Sequence, residues 1–338
     1  MLALASTIGS FAVAPQVVGQ SDLRGSIVVL DADADGDAAA LRVIRGHGTG
    51  IWWPGAMVVD RRGRLYVTNA PNTGRDDTVR VFAPDADGDV APERIIAGPH
   101  TGLKQPLGFA IDRENHLYVA NAGADDTTLR SQITVYDPGA AGDANPLAIL
   151  AGGLSREDAF WPHRLTFGRR DSLFVRTGGF VAVFAPGATE ASVPARLIYT
   201  DVPRPPGGAY GWRRSPDRFV LDRNDSMYVL RGDTVMVYPP GYSGREPEVR
   251  RIAGPRTGIT RAKDIALDDR GWLYVVGWDS SAAVKVFAPG ATGDVAPSRK
   301  IGGTRTRLRY PDTIVLDRKR RLYLGNPGGG SRAELDRP

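Results

Sequence analysis

The stretch VVDRRGRLYV (58–67) decides the reading of this chain, because it returns five more times. The copies are AIDRENHLYV (110–119), TFGRRDSLFV (166–175), VLDRNDSMYV (220–229), ALDDRGWLYV (266–275) and VLDRKRRLYL (315–324). Each reads as a short apolar strand, a tight polar turn and a second apolar strand rich in Val, Leu and Tyr. From Asp60 to Asp317 five steps cover 257 residues, a period of about 51. That spacing belongs to propeller blades rather than helical solenoids. The Asp ending the first strand can accept bonds from the turn amides behind it. Gly168 takes that place in the third copy.

A third strand follows each pair, as VRVFAP (79–84), ITVYDP (133–138), VAVFAP (181–186), VMVYP (235–239) and VKVFAP (284–289). A fourth follows in turn, as ERIIAG (93–98), LAILAG (147–152), ARLIYT (195–200), VRRIAG (249–254) and SRKIGG (298–303). The sixth unit has only its first two strands at the C-terminus. The missing pair stands at the other end, as IVVLD (27–31) and LRVIRG (41–46). The expected fold is therefore all-β: a six-bladed β-propeller with four antiparallel strands per blade. Two N-terminal and two C-terminal strands share one blade, which pairs edges that would otherwise be exposed.

The 338 residues, 42% hydrophobic and 24% charged, have the composition of a globular protein, and 41 Gly with 25 Pro suit many turns. No stretch approaches the roughly 18 apolar residues of a membrane span. With no Cys, disulfides, thiolate metal sites and Cys nucleophiles are excluded. One propeller domain is expected over 26–326, with an apolar segment over 1–25 and a tail over 327–338. Residues 2–14, ending in Ala12-Val13-Ala14, resemble a secretion signal, so an extracytoplasmic location is expected. No basic residue precedes that apolar run, however, and Pro15 follows it.

The pattern P-x-x-x-x-x-D-x-x-x-x-LYV, followed by a VF-P strand and a short strand ending in Gly, resembles the NHL-repeat family. The likeness runs from about residue 26 to 326. It implies a six-bladed disk with a central channel and a loop-rich upper face where partners dock. Related propellers bind protein, RNA or ligands and some are enzymes, so the resemblance leaves function open. The chain departs from the family pattern in carrying Asn69, Asn121 and Asn326 after the second strand.

In such a disk the first-to-second and third-to-fourth loops lie on the lower face. Arginines such as Arg61, Arg113 and Arg318 face acids such as Asp37, Asp89, Asp143 and Asp294 there, and the two sets largely cancel. Nucleic acid, which needs a one-signed basic face, is not the expected partner. DADADGD (31–37) resembles the start of a calcium loop, with Asp31, Asp33 and Asp35 as ligands, but Arg42 stands where Glu would close it. A Gly-containing hairpin turn explains the same residues, so no cofactor is expected and calcium is the alternative.

The upper face holds Trp52, Trp53, Trp161, Tyr210, Trp212 and Trp278, a set suited to recognition or to sealing blades against one another. The start of each first strand places Gly55, Leu107, His163, Asp217, Lys263 and Asp312 at the channel mouth, with Arg164, Arg218 and Asp264 one step deeper. Two functions follow. One is a non-catalytic scaffold offering its upper face to a protein or glycan, with a homo-oligomer as one form of it. The other is a lactonase-like metal-assisted hydrolase or lyase using His163, Asp217, Asp264 and Asp312. The Glu, Asn and Asp set of such enzymes is not met, and no G-x-S-x-G, phosphate loop or H-E-x-x-H occurs.

Overall fold

The computed structural model describes residues 25–69, 77–123, 131–150, 161–177, 180–199 and 218–328. They form six four-stranded antiparallel sheets. Blade one contains β3 (Pro54–Val59), β4 (Leu65–Asn69), β5 (Val79–Phe82) and β6 (Arg94–Ile96). Blade two contains β7 (Pro106–Ile111), β8 (Leu117–Asn121), β9 (Gln132–Tyr136) and β10 (Ala148–Leu150). Blade three runs through β11 (Arg164–Phe167), β12 (Leu173–Arg176), β13 (Phe180–Phe184) and β14 (Arg196–Tyr199). Blade four comprises β15 (Arg218–Leu221), β16 (Met227–Arg231), β17 (Thr234–Tyr238) and β18 (Arg250–Ile252). In blade five, β19 (Ala262–Leu267), β20 (Leu273–Gly277), β21 (Val284–Phe287) and β22 (Arg299–Ile301) follow one another. The sixth blade has the order β2 (Arg42–Ile44), β1 (Ser26–Asp31), β24 (Arg321–Asn326), β23 (Thr313–Leu316). Its β1 pairs with β24 along its whole length, Ser26 opposite Asn326 and Asp31 opposite Arg321.

The first strands surround a central channel: β3, β7, β11, β15, β19 and β23 each contact the next, and β23 returns to β3. The core lies between blades rather than in one central mass. Val28, Leu30 and Leu324 of the sixth blade, for example, pack with Tyr274, Val276 and Val284 of blade five. Six such layers recur, one for each junction.

The repeated Asp explains the turn that defines each unit. Asp60 Oδ1 accepts the amides of Arg62 (2.9 Å) and Arg64 (2.8 Å). Asp112, Asp222, Asp268 and Asp317 hold their own turns in the same way. Without that carboxylate, the Gly168 turn has backbone bonds from Gly168 N to Ser172 O and from Asp171 N to Gly168 O, and its Arg169 amide donates to Asp225 Oδ1 of the next blade (2.7 Å).

A second recurring device ties neighbouring blades together at four junctions among the described residues. The aspartate at the end of a third-to-fourth loop accepts an amide from the neighbouring blade's G-x-x-T loop, which ends in Gly except at GTRTR (303–307). The pairs are Asp89 with Gly48 (2.6 Å), Asp143 with His100 (2.7 Å), Asp294 with Arg256 (2.7 Å) and Asp37 with Arg305 (2.7 Å). The first glycine of each loop has no room for a side chain: a Cβ on Gly46, at φ 139°, would stand 2.2 Å from the Asp89 carboxyl carbon. The loop threonine closes the turn, Thr49 donating to Gly46 O and accepting from Ile51 N. Asn69, Asn121 and Asn326 fasten the following segment, accepting amides from Trp52, Lys104 and Arg309.

Blades two and three approach closely at Gly108, where a Cβ would lie 2.3 Å from His163 O. Gly108→Ala must displace β11 or β7, and the expected cost is about 1–3 kcal/mol, the range of overpacking in a close-packed interior. A lowered urea midpoint with an unchanged slope checks this; an unchanged midpoint would refute the close approach.

Candidate functional site

The channel is a cavity of about 440 Å³. Met57, Phe109, Leu165, Phe219 and Ile314 line its walls, and His163, Arg164, Arg218 and Asp312 stand at its upper end. The backbone departs from regular pairing at that end. β-Bulges fall between Pro54 and Met57, between Pro106 and Gly108, and between Ala262 and Asp264. The bulged residues include Gly55, Leu107 and Lys263, so three of the six mouth positions sit where a bulge re-aims the side chain. Lys263 Nζ comes to rest 3.9 Å from the centre of the Trp278 ring.

Asp264 is fully buried, and every part of its carboxylate is engaged. Arg164 Nη1 lies 2.8 Å from Oδ1 and 3.1 Å from Oδ2, and Arg218 Nε is 3.6 Å from Oδ1. Thr313 Oγ1 (3.2 Å) and Ile314 N (3.1 Å) donate to Oδ2, and Ile265 N (2.9 Å) to Oδ1. The carboxylate thus ties β11 and β15 to β19 and β23 across the channel.

His163 is half-buried beside two arginines. Burial first, then Arg176 and Arg218, push its imidazolium down to about 3, so the ring is neutral near neutral pH. Burial pushes the Asp312 carboxyl up, with Asp264 acting in the same direction. Arg218, the Trp53 hydrogen bond (Nε1 to Oδ2, 3.3 Å) and Lys263 work against that rise.

The aromatic residues gather over this mouth. Trp53 and Trp278 are 6.3 Å apart at 55°, and Trp52, 53% exposed, stands beside Trp53 in the chain. Trp161 is half-buried on the same side. Trp278 Nε1 and Arg218 Nε are buried without a hydrogen-bond partner among the described residues. Tyr210, Trp212 and Asp217 lie outside the described residues.

Near the mouth is a pair that sequence reasoning missed. Lys285, in β21, and Asp279 form a buried ion pair, which Ser281 joins through its hydroxyl. Burial would raise the Asp279 carboxyl, but Lys285 and Ser281 outweigh it and hold it below its usual value. The one signal available was Lys285 in an otherwise apolar strand.

The acidic turn 31–37 is taken up by local bonds. Asp31 accepts the amide of Asp33 (2.7 Å), and Asp35 accepts those of Gly36 (2.9 Å) and Lys300 (3.1 Å). Asp33 turns away to Arg320, which holds its carboxyl below the usual range. Among the described residues, the group whose ligating atoms lie within 4.8 Å of one another is Asp112, Glu114 and His116 instead. Its members are joined through the Asp112 turn, where Asp112 binds His116 Nδ1 at 2.8 Å.

No family model matches this chain, and no curated protein matches it. The NHL likeness therefore rests on the motif. Solved structures do resemble it in fold. A protein of unknown function from Bacteroides caccae is 12% identical with a TM-score of 0.51, covering 83% of this chain and 94% of that one. A Bacteroides uniformis protein provisionally assigned as a 6-phosphogluconolactonase is 14% identical with a TM-score of 0.51, covering 88% and 87%. A streptogramin B lyase is 10% identical with a TM-score of 0.51, covering 89% and 98%. At these identities the likeness shows the fold alone: the chain is a six-bladed β-propeller.

Proposed function

We propose that this protein is a non-catalytic binding or assembly module, extracytoplasmic in setting, which offers its upper face to a protein or glycan. The observation that carries this is exposed Trp52 beside the Trp53–Trp278 pair over the channel mouth. Flat apolar rings with Lys263, Asp312 and the unpartnered Trp278 Nε1 around them combine apolar contact with a few convergent polar groups. The proposal needs no cofactor.

The second reading is a lactonase-like hydrolase or lyase, and the provisional assignment and name of two neighbours favour it. The chemistry of this mouth weighs against it. A histidine with a pKa of about 3 is a weak base at neutral pH, and Asp264 already binds two arginines. Asp312, with its carboxyl pushed up, is the group that would serve as an acid.

A glycan array and a pull-down with the intact protein test the proposal. Trp52→Ala and Trp53→Ala are each expected to weaken binding of the captured ligand by more than about 1 kcal/mol, roughly fivefold or more. His163→Ala is expected to leave it unchanged. Equal affinity in all three variants would sink the aromatic site.

A further inference from the structure

The opposite end of the channel carries a second feature. The residue after the turn-starting position is Arg in five of the six units: Arg61, Arg113, Arg169, Arg223 and Arg318, with Asp269 in the remaining one. All five arginines are exposed. They follow the first strands, so the propeller sets them around the lower mouth. Below them lies a cavity of about 260 Å³, with Arg61, Arg113 and Arg318 over Val59, Ile111 and Phe167.

The acids that balance these arginines by count do not balance them in space. Asp37, Asp89, Asp143 and Asp294 bind the interblade loops at the outer strands. Of the two acids that line the cavity, Asp112 holds its own turn and His116, and Asp171 pairs with Arg113 at 2.9 Å. The side chains of Arg61 and Arg318 have no partner among the described residues. Guanidinium forks held beside a cavity without a counter-ion match the geometry of phosphate oxygens.

We propose that this lower mouth binds a small, multiply charged phosphorylated anion, gripped by Arg61 and Arg318 with Arg113 alongside. The site is separate from the aromatic upper mouth, and its ligand is of a different chemical class.

Isothermal titration of the intact protein with inorganic pyrophosphate and tripolyphosphate at low ionic strength tests it. Saturable binding is expected, tighter for tripolyphosphate. The double variant Arg61→Gln with Arg318→Gln is expected to lose at least about tenfold, whereas Arg170→Gln, one position beyond the ring, should lose less than about twofold. Asp269→Arg, which completes the ring, is expected to tighten binding. No saturable binding, an equal loss in Arg170→Gln, or an Asp269→Arg variant no tighter than the parent would each overturn the proposal.

Discussion

Asp264→Asn is expected to destabilise the protein by about 3–5 kcal/mol, the cost of leaving a buried charge without its partner. The substitution keeps the shape of the side chain but removes the anion that Arg164 approaches at 2.8 Å and Arg218 at 3.6 Å. Arg218 Nε has no hydrogen bond even in the parent, so it depends on that charge. The amides of Ile265 and Ile314 would face an amide group that satisfies them less well. The measurement is the urea midpoint, with the slope as a check on two-state behaviour. A companion variant separates structure from chemistry. Arg164→Met and Arg218→Met combined with Asp264→Leu remove the charge on both sides and should recover much of the loss, since apolar replacement of a buried ionic cluster is often neutral. If Asp264→Asn melts like the parent, the carboxylate is not a structural tie and the catalytic reading regains ground.

Ring closure gives the second large effect. Deleting residues 321–338 removes β24, which pairs with β1 on one side and β23 on the other. The remaining strands of that blade lose their central partner, and two edges open at once. The expected product has no cooperative melt and aggregates, because unpaired edges template association. A permutant shows that geometry, not chain order, is responsible. Gly25 N and Gly328 N both donate to Trp52 O, at 2.8 and 3.0 Å, so a linker of a few residues can join the two ends. New termini between Glu190 and Ala191, both in an exposed turn, should give a folded protein with a single transition. A truncated chain that still melts cooperatively at the parent temperature would contradict the closure.

The blade period was legible because five of the six units repeat one physical requirement: an Asp that accepts two turn amides, then a Tyr-bearing strand; the third keeps the pattern with Gly168 and Phe174. Side-chain alternation says nothing about a bulge, which is a property of pairing register. The mouth positions Gly55, Leu107 and Lys263 therefore read like His163 and Asp312, although their backbone differs. The aspartates of the third-to-fourth loops read as surface charge because their partners are amides in another blade, about 40 residues away. The partners of Asn69 and Asn326 are also backbone amides, 17 residues back in the chain, which side-chain alternation does not reveal. D-x-D-x-D-G spacing resembled a calcium loop, but spacing does not reveal that Arg320 draws Asp33 to one side. The aromatic mouth was legible as a set of tryptophans in loops, though not the Trp53–Trp278 pairing or the cation over it.

The central claim is that the upper mouth binds its ligand without transforming it. The most direct test incubates the ligand captured on the upper face with intact protein near neutral pH and weighs it by mass spectrometry. The account expects the ligand to be recovered with its mass unchanged and its affinity reduced by Trp53→Ala. Release of a hydrolysed or eliminated product, abolished by Asp312→Asn, would contradict it.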